Sequence, residues 1–209
     1  MPRRPRFATG GYVFHVLNRA AARRTVFAQE ADYAAFEKVL HAAGERVAMR
    51  LLAYCIMPNH WHLVLWPRGD DDLSQFMRWL TVTHTQRWHL AHGTAGTGPL
   101  YQRRFKSFPV ETDDHFYTVR RYVERNALRA NLVGRAEDWR WSSLWQWNNE
   151  RCDVACHAWQ LPRVANWIDF VNTPETEGEL QALRDSLVGG RPFGTREWGR
   201  KAADEPGLR

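Results

Sequence analysis

The sequence predicts an α+β chain, and three features carry that expectation. Two apolar runs, MRLLAYCIM and WHLVLWP, are joined by Pro58-Asn59, a turn signal, so residues 49–66 read as a closely linked strand pair that should be central. Ahead of them GYVFHVLNR alternates and is rich in β-branched and aromatic residues, as a first strand does. Stripes of helical spacing separate and follow these runs. The first spans residues 32–44, with Tyr33, Phe36, Val39 and Leu40 apolar, Glu30 and Asp32 near its N-terminal end, and Gly44 as its stop. The second follows Asp70-Asp71-Asp72, carries Leu73, Phe76, Met77 and Leu80, and ends in the GTAGTG loop by residue 93. Residues 101–110 read as a further strand with a mixed basic and aromatic pattern. Thr112-Asp113-Asp114 resembles an N-cap for a helix whose stripe, Phe116, Val119, Val123 and Leu128, runs to about residue 131. Beyond it lie a Trp-rich segment (Trp139, Trp141, Trp145, Trp147), a weaker helix around residues 177–187 and a Gly, Pro and Arg-rich tail from Gly189. Residues 1–150 are expected to form the functional domain and 151–209 a partly helical extension with a basic tail.

Composition bounds the function. At 209 residues, 44% apolar and 25% charged, the chain is expected to fold as one domain with an appendage. Its longest uninterrupted apolar run, residues 51–57, falls far short of the roughly 20 residues a bilayer span requires, and the basic N-terminus has no apolar stretch before Asn18, so a cytoplasmic location is expected. Cys55, Cys152 and Cys156 are odd in number, which fits reduced thiols. The formal charge of +6 and pI near 9.6 favour a polyanionic partner, nucleic acid first. Only Lys38, Lys106 and Lys201 are lysine, and the arginine fork suits phosphate and guanine edges. A GC-rich genome produces the same bias.

His60 and His62 lie two apart in a strand-like run, so their rings leave one face while Trp61 leaves the other. That spacing suits a divalent ion, and it equally suits two half-exposed strand histidines. Tyr122 and Asn126, four apart on the expected helix, are separated by about 40° around its axis and face one target. The Asn126 amide oxygen is a candidate third ligand and Tyr122 a candidate nucleophile, against the plainer roles of helix-end polar residue and core aromatic. Tyr117 is a weaker rival, because its partner at four residues is Arg121. His84, His89 and His92 read as a solvated helix face, and Cys152, Cys156 and His157 as incidental, since no second ligand pair accompanies them.

In this order YVFHVLNRA, LLAYCIMPNHWHLVLWP, GPLYQRRFKSFPVE, RRYVERNALRANLV and WRWSSLWQW resemble blocks of the REP-associated tyrosine transposases, within the HUH single-strand transposases with one catalytic tyrosine. The resemblance spans residues 11–147. It implies a ferredoxin-like HUH endonuclease fold, a central antiparallel sheet with helices packed on it. It further implies that His60, His62 and Asn126 bind Mg²⁺ or Mn²⁺, and that Tyr122 attacks single-stranded DNA to leave a 5′-phosphotyrosine and a free 3′-hydroxyl. Reversal of that attack rejoins strands. The implied substrate is a hairpin-forming, REP-like repeat; the oligomeric state is left open, with a monomer slightly favoured. A binding protein that masks such hairpins without cutting is the alternative. A phosphohydrolase reading fails because Val64 stands where a third alternating histidine is needed. The chain departs from the family in having Ala127 after the motif Asn, where Pro is common, and Asn131 where a small residue is usual, so the helix is expected to run on. His89 stands where many relatives have Asn. For DNA contact the expected residues are Arg19, Arg103, Arg104, Lys106, Arg121 and Arg129, with Tyr101 and Phe105 as base-stacking groups. The basic termini, Arg3, Arg4 and Arg6 and then residues 191–200, are candidate phosphate-binding arms.

Overall fold

The chain begins with β1 (Val13–Arg19), whose alternation pairs it on both sides, then α1 (Glu30–Val47), β2 (Arg50–Met57) and β3 (His60–Trp66). There follow α2 (Asp72–Ala91), β4 (Lys106–Val110), α3 (Asp114–Glu124), α4 (Asn126–Arg129), α5 (Ser143–Asn148), α6 (Trp167–Asn172), α7 (Glu177–Gly189) and α8 (Arg196–Asp204). This computed structural model describes residues 9–102, 104–158 and 163–204. Every pairing in the sheet is antiparallel, in the order β2-β3-β1-β4. Of the expected central pair, β3 is internal and β2 lies at one side, because β1 inserts between β3 and β4 rather than beside β2.

The two-residue period of the strands sorts side chains into two layers. Phe14, Val16, Tyr54, Ile56, Trp61, Leu63 and Leu65 pack under α1 and α2. Val13, Ala53, Cys55, Val64, Phe108 and Val110 face α3 and α7. Burying both faces removes enough apolar area to hold the layers together, and each fully buried large side chain contributes about 1.5–3 kcal/mol. Trp61 is fully buried and is the anchor of the first layer.

An open sheet edge invites pairing with other chains, and both edges here are covered. Along β2 the Ile56 amide donates to the Trp141 carbonyl and His157 N–H donates to Leu51, while Ser143 Oγ accepts from the Tyr54 amide. Trp139 Nε1 donates to the Ile56 carbonyl, and Tyr33 stacks on Trp141 at 4.8 Å. The Trp-rich segment is therefore packing. Along β4 the amide of Phe193 donates to Pro109 and the amide of Glu111 to Phe193. Residues expected to be a loose basic arm are thus an edge strap ending in α8. Arg3, Arg4 and Arg6 lie outside the described residues.

Other boundaries moved for local reasons. The first helix runs through Gly44 and stops at Ala48, which takes the left-handed conformation (φ 51°). The strand expected from residue 101 begins at Lys106, because Tyr101 is held instead in an isolated bridge to Ala20. Asp113 does cap α3, accepting from the His115 amide. The expected continuous helix to residue 131 is interrupted at Arg125 (φ −86°, ψ −2°), in the bridge region where the ladder loosens. Asn131 takes φ 56°, the left-handed turn that Asn tolerates better than most residues, and the Leu132 amide closes back on Ala127.

His84 and His89 correct the solvated-face expectation, for both are buried. His84 Nδ1 is 2.6 Å from the Tyr101 hydroxyl, which accepts from Trp61 Nε1 at 3.0 Å, and its ring stacks on Phe27. The five-residue offset that seemed to scatter these histidines places His84 on the inner face of α2. Burial holds the His84 imidazole down at a pKa of about 3. Below the ordinary value of 6.5 the unfolded chain takes up a proton that the native ring refuses, so stability falls as pH drops from 6.5 towards 3. At pH 5 this group alone is expected to cost about 2 kcal/mol relative to pH 7. Urea unfolding at both pH values will register the loss, and His84→Leu will flatten it by that amount. No described helix is long and apolar enough to cross a membrane.

Candidate active site

Register decides what shares the α3 face. Directly opposed residues point the same way, and the pairs Arg19↔His60, Leu17↔His62 and His15↔Val64 put Arg19 and His15 on the face of the two histidines. Met57 and Cys55 oppose His60 and His62 from β2, and Lys106 opposes Leu17 from β4. Here α3 crosses, and its amphipathic pattern lowers Tyr122 onto the sheet. The Tyr122 ring meets His62 edge-on, centroids 5.7 Å apart, and His15 at 6.0 Å. His60 and His62 are 5.1 Å apart. Asn126 opens α4 and is buried, and its Nδ2 has no hydrogen-bond partner among the described residues. The backbone of Ala127, the next residue, lies against the Cys55 thiol in the row of His62.

The hydrogen bonds fix which ring nitrogens face the site. His60 Nδ1 is 2.7 Å from Asn59 Oδ1, an oxygen that only accepts, so the proton sits on Nδ1 and Nε2 keeps its lone pair. His62 Nδ1 is 2.8 Å from His15 Nε2, which leaves His62 Nε2 as the nitrogen for a ligand. Burial, then the neighbouring Arg19 and Arg129 cations, lower His60 to about 3. Burial foremost, then His15 and His60, hold His62 well below 6.5. Both rings are therefore neutral at pH 7, the protonation state a metal ligand needs. Two neutral imidazoles two apart on one strand face are a donor set that fits a divalent ion.

Two guanidinium groups border the rings. Arg129 lies 4.0 Å over the Tyr122 ring, with Nη1 buried and unpartnered among the described residues, and Arg19 Nε is likewise buried and unpartnered. A buried N–H without an acceptor is costly in a closed fold, so these groups are suited to an incoming anion.

The remaining expected residues divide. Lys106 and Arg104 are exposed. Arg104 lines a groove of about 710 Å³ between α2 and the segment before β4, with Asn18, Arg78, Gln86 and Tyr101. Arg103 lies outside the described residues. Arg121 corrects an expectation. It is buried, donates to Glu179 at 2.6 Å and lies over Phe170, so it ties α3 to the C-terminal helices. Phe105 is 9% exposed and belongs to the layer under α2, and the Tyr101 hydroxyl is engaged by Trp61 and His84. Neither ring stands out as an open stacking platform, since packing and hydrogen bonding have claimed both. Cys55, Cys152 and Cys156 are free thiols. A second group, Glu111, Asp113 and His115, brings its ligand atoms within 4.8 Å. Its carboxylates are already committed: Asp113 caps α3, and Glu111 accepts from the Thr195 amide at 2.6 Å.

The residue that sequence reasoning missed is His15. The signal was present, since it is the one imidazole in the run VFHVLNR, yet only the register of β1 against β3 places it beside His62.

A family model described as Transposase IS200 like matches residues 9–126. No curated protein matches the chain. Among solved structures the chain is similar to a REP-associated tyrosine transposase bound to a REP hairpin, with 17% identity over 84% of this chain and 92% of that one, and a TM-score of 0.58. It is also similar to a protein described as a transposase from Deinococcus radiodurans R1, with 20% identity over 59% of this chain and 97% of that one, and a TM-score of 0.41. The first likeness carries the fold, an antiparallel sheet with helices packed on it.

Proposed function

Because this chain belongs to the IS200-like transposases, we propose that it nicks and rejoins single-stranded DNA with the help of a divalent metal, taking hairpin-forming, REP-like repeats as its substrate. The observation that carries this reading is the pair of imidazoles whose Nδ1 atoms are both engaged, so that both Nε2 atoms remain for a ligand, with the Tyr122 ring 5.7 Å from His62.

His60, His62 and the Asn126 amide would hold Mg²⁺ or Mn²⁺. Such an ion, when bound, polarises the scissile phosphate as a Lewis acid. Tyr122 Oη forms a bond to phosphorus while the bond from phosphorus to the 3′ oxygen breaks, and the phenolic proton is lost as the 3′ oxygen gains one. The products are a 5′-phosphotyrosine and a 3′-hydroxyl, and attack by a 3′-hydroxyl reverses the step. Arg19 and Arg129 supply unpartnered N–H groups to the phosphate oxygens. Lys106, Arg104 and Arg103 serve the approaching strand. Residues 1–150 carry the chemistry, and residues 151–209 brace it through Leu183 and Phe193, which share a packed cluster with Tyr122.

The test is covalent capture. Incubation with a REP-like single-stranded hairpin and Mn²⁺ is expected to give a protein–DNA adduct that survives denaturing electrophoresis. Tyr122→Phe is expected to give none while still shifting the hairpin on a native gel. Equal cutting by that variant removes Tyr122 from the role, and hairpin binding without any cut product under either ion favours a masking protein.

A further inference from the structure

The third imidazole of the site belongs to no part of the chemistry above, yet its placement is specific. His15 is fully buried on β1. Its ring lies edge to edge with that of His62, centroids 5.0 Å apart and planes 19° apart, and Phe108 packs against it at 4.9 Å. With Tyr122 meeting it edge-on, the ring has little freedom to turn. Its Nε2 stands 2.8 Å from His62 Nδ1, and its own Nδ1 has no partner among the described residues.

Only one proton fits between two ring nitrogens at that distance. If His15 Nε2 carries it, a neutral His62 must be protonated on Nε2, and that nitrogen is closed to a ligand. If His62 Nδ1 carries it, His62 Nε2 presents a lone pair towards the site and the neutral His15 keeps its own proton on Nδ1, a cost set against the metal bond that this lone pair allows. The neighbouring ring already adopts the second arrangement, because Asn59 Oδ1 can only accept from His60 Nδ1. A metal-binding histidine characteristically donates its other N–H to a fixed acceptor, and loss of that acceptor typically weakens metal binding by about 10–100-fold.

We infer that His15 is a positioning residue, which accepts the His62 Nδ1 proton and so holds His62 in the tautomer and orientation that offers Nε2 to a divalent cation. The inference rests on the metal reading for its purpose, and on His15 and His62 alone for its geometry. Where carboxylates or carbonyls usually serve as the acceptor, a neutral imidazole here does so without adding negative charge beside the site.

Two measurements test it. In metal-free protein labelled with ¹⁵N-histidine, long-range ¹⁵N–¹H correlations are expected to show His62 protonated on Nδ1. Protonation on Nε2 overturns the inference whether or not any variant folds. Mn²⁺ titration followed by electron paramagnetic resonance is expected to show binding weakened by about 10–100-fold in His15→Phe, with recovery in His15→Gln, whose amide oxygen restores an acceptor. Unchanged Mn²⁺ affinity in a folded His15→Phe protein also overturns it. Wild-type protein that shows the Nδ1–H tautomer but takes up no Mn²⁺ would count against the metal reading and leave the His15–His62 arrangement standing.

Discussion

His62→Ala is expected to lower the rate of adduct formation on a single-stranded hairpin by about 10³-fold, with hairpin binding retained. The magnitude follows from what is removed. A Lewis acid at the scissile phosphate is worth several kcal/mol of transition-state stabilisation, and about 4 kcal/mol corresponds to a thousandfold. His62 is the ring in direct contact with Tyr122, so its loss removes a ligand and also loosens the nucleophile's seat. Arg19, Arg129 and Lys106 remain, which is why binding survives. His60→Ala should fall in the same direction, because His60 presents the second Nε2. Single-turnover cleavage over a range of Mn²⁺ concentrations is the measurement. A rate within a few-fold of wild type at limiting metal would remove the histidine pair from the chemistry.

The largest effect on stability should come from Glu124, two residues beyond Tyr122. Its carboxylate is fully buried and accepts from Arg120 at 3.3 Å, from Ser143 Oγ at 2.9 Å and from Trp167 Nε1 at 2.7 Å. One group thereby fastens α3 to α5 and α6. Arg120 is itself buried, so truncation leaves a guanidinium without its counter-charge, along with an unpaired indole N–H and hydroxyl. Breaking a buried pair from one side costs about 3–5 kcal/mol, a large part of a typical domain's total stability. Glu124→Ala is expected to lose that much in urea unfolding, whereas Glu124→Gln keeps the acceptor oxygen and should lose less. A loss under 1 kcal/mol in the alanine variant would mean that Arg120 finds another partner.

Much of this could be read before any coordinates. Pro58-Asn59 between apolar runs announced the hairpin, and the alternation of β3 put His60 and His62 on one face with Trp61 on the other, as the two core layers bear out. The start and the buried face of α3 were legible from Asp113 and the Phe116, Val119, Val123 stripe, but not its break at Arg125. The errors have a common origin. Arg121 looked like a DNA contact because it lies in a motif block beside Tyr122, and became an internal tie because α7 places Glu179 against it. His84 looked solvated because its offset from His89 and His92 scatters the three around the helix, and became buried because the Tyr101 hydroxyl, held by Trp61, offered it a hydrogen-bonding partner in the core.

By itself the sequence determined the order and type of β1 to β4, α1 to α3 and α7, since periodicity and turn chemistry are local properties of the chain. It also determined the residue types of the site, because two histidines two apart in a strand must share a face. Which imidazole joins them, which nitrogens are engaged and which arginines keep unpartnered N–H groups were decided only by strand register and by how α3 and the C-terminal helices settle on the sheet. Those choices depend on contacts between residues tens of positions apart, as His15 and His62 are, and no pattern along the chain encodes the proton that lies between them.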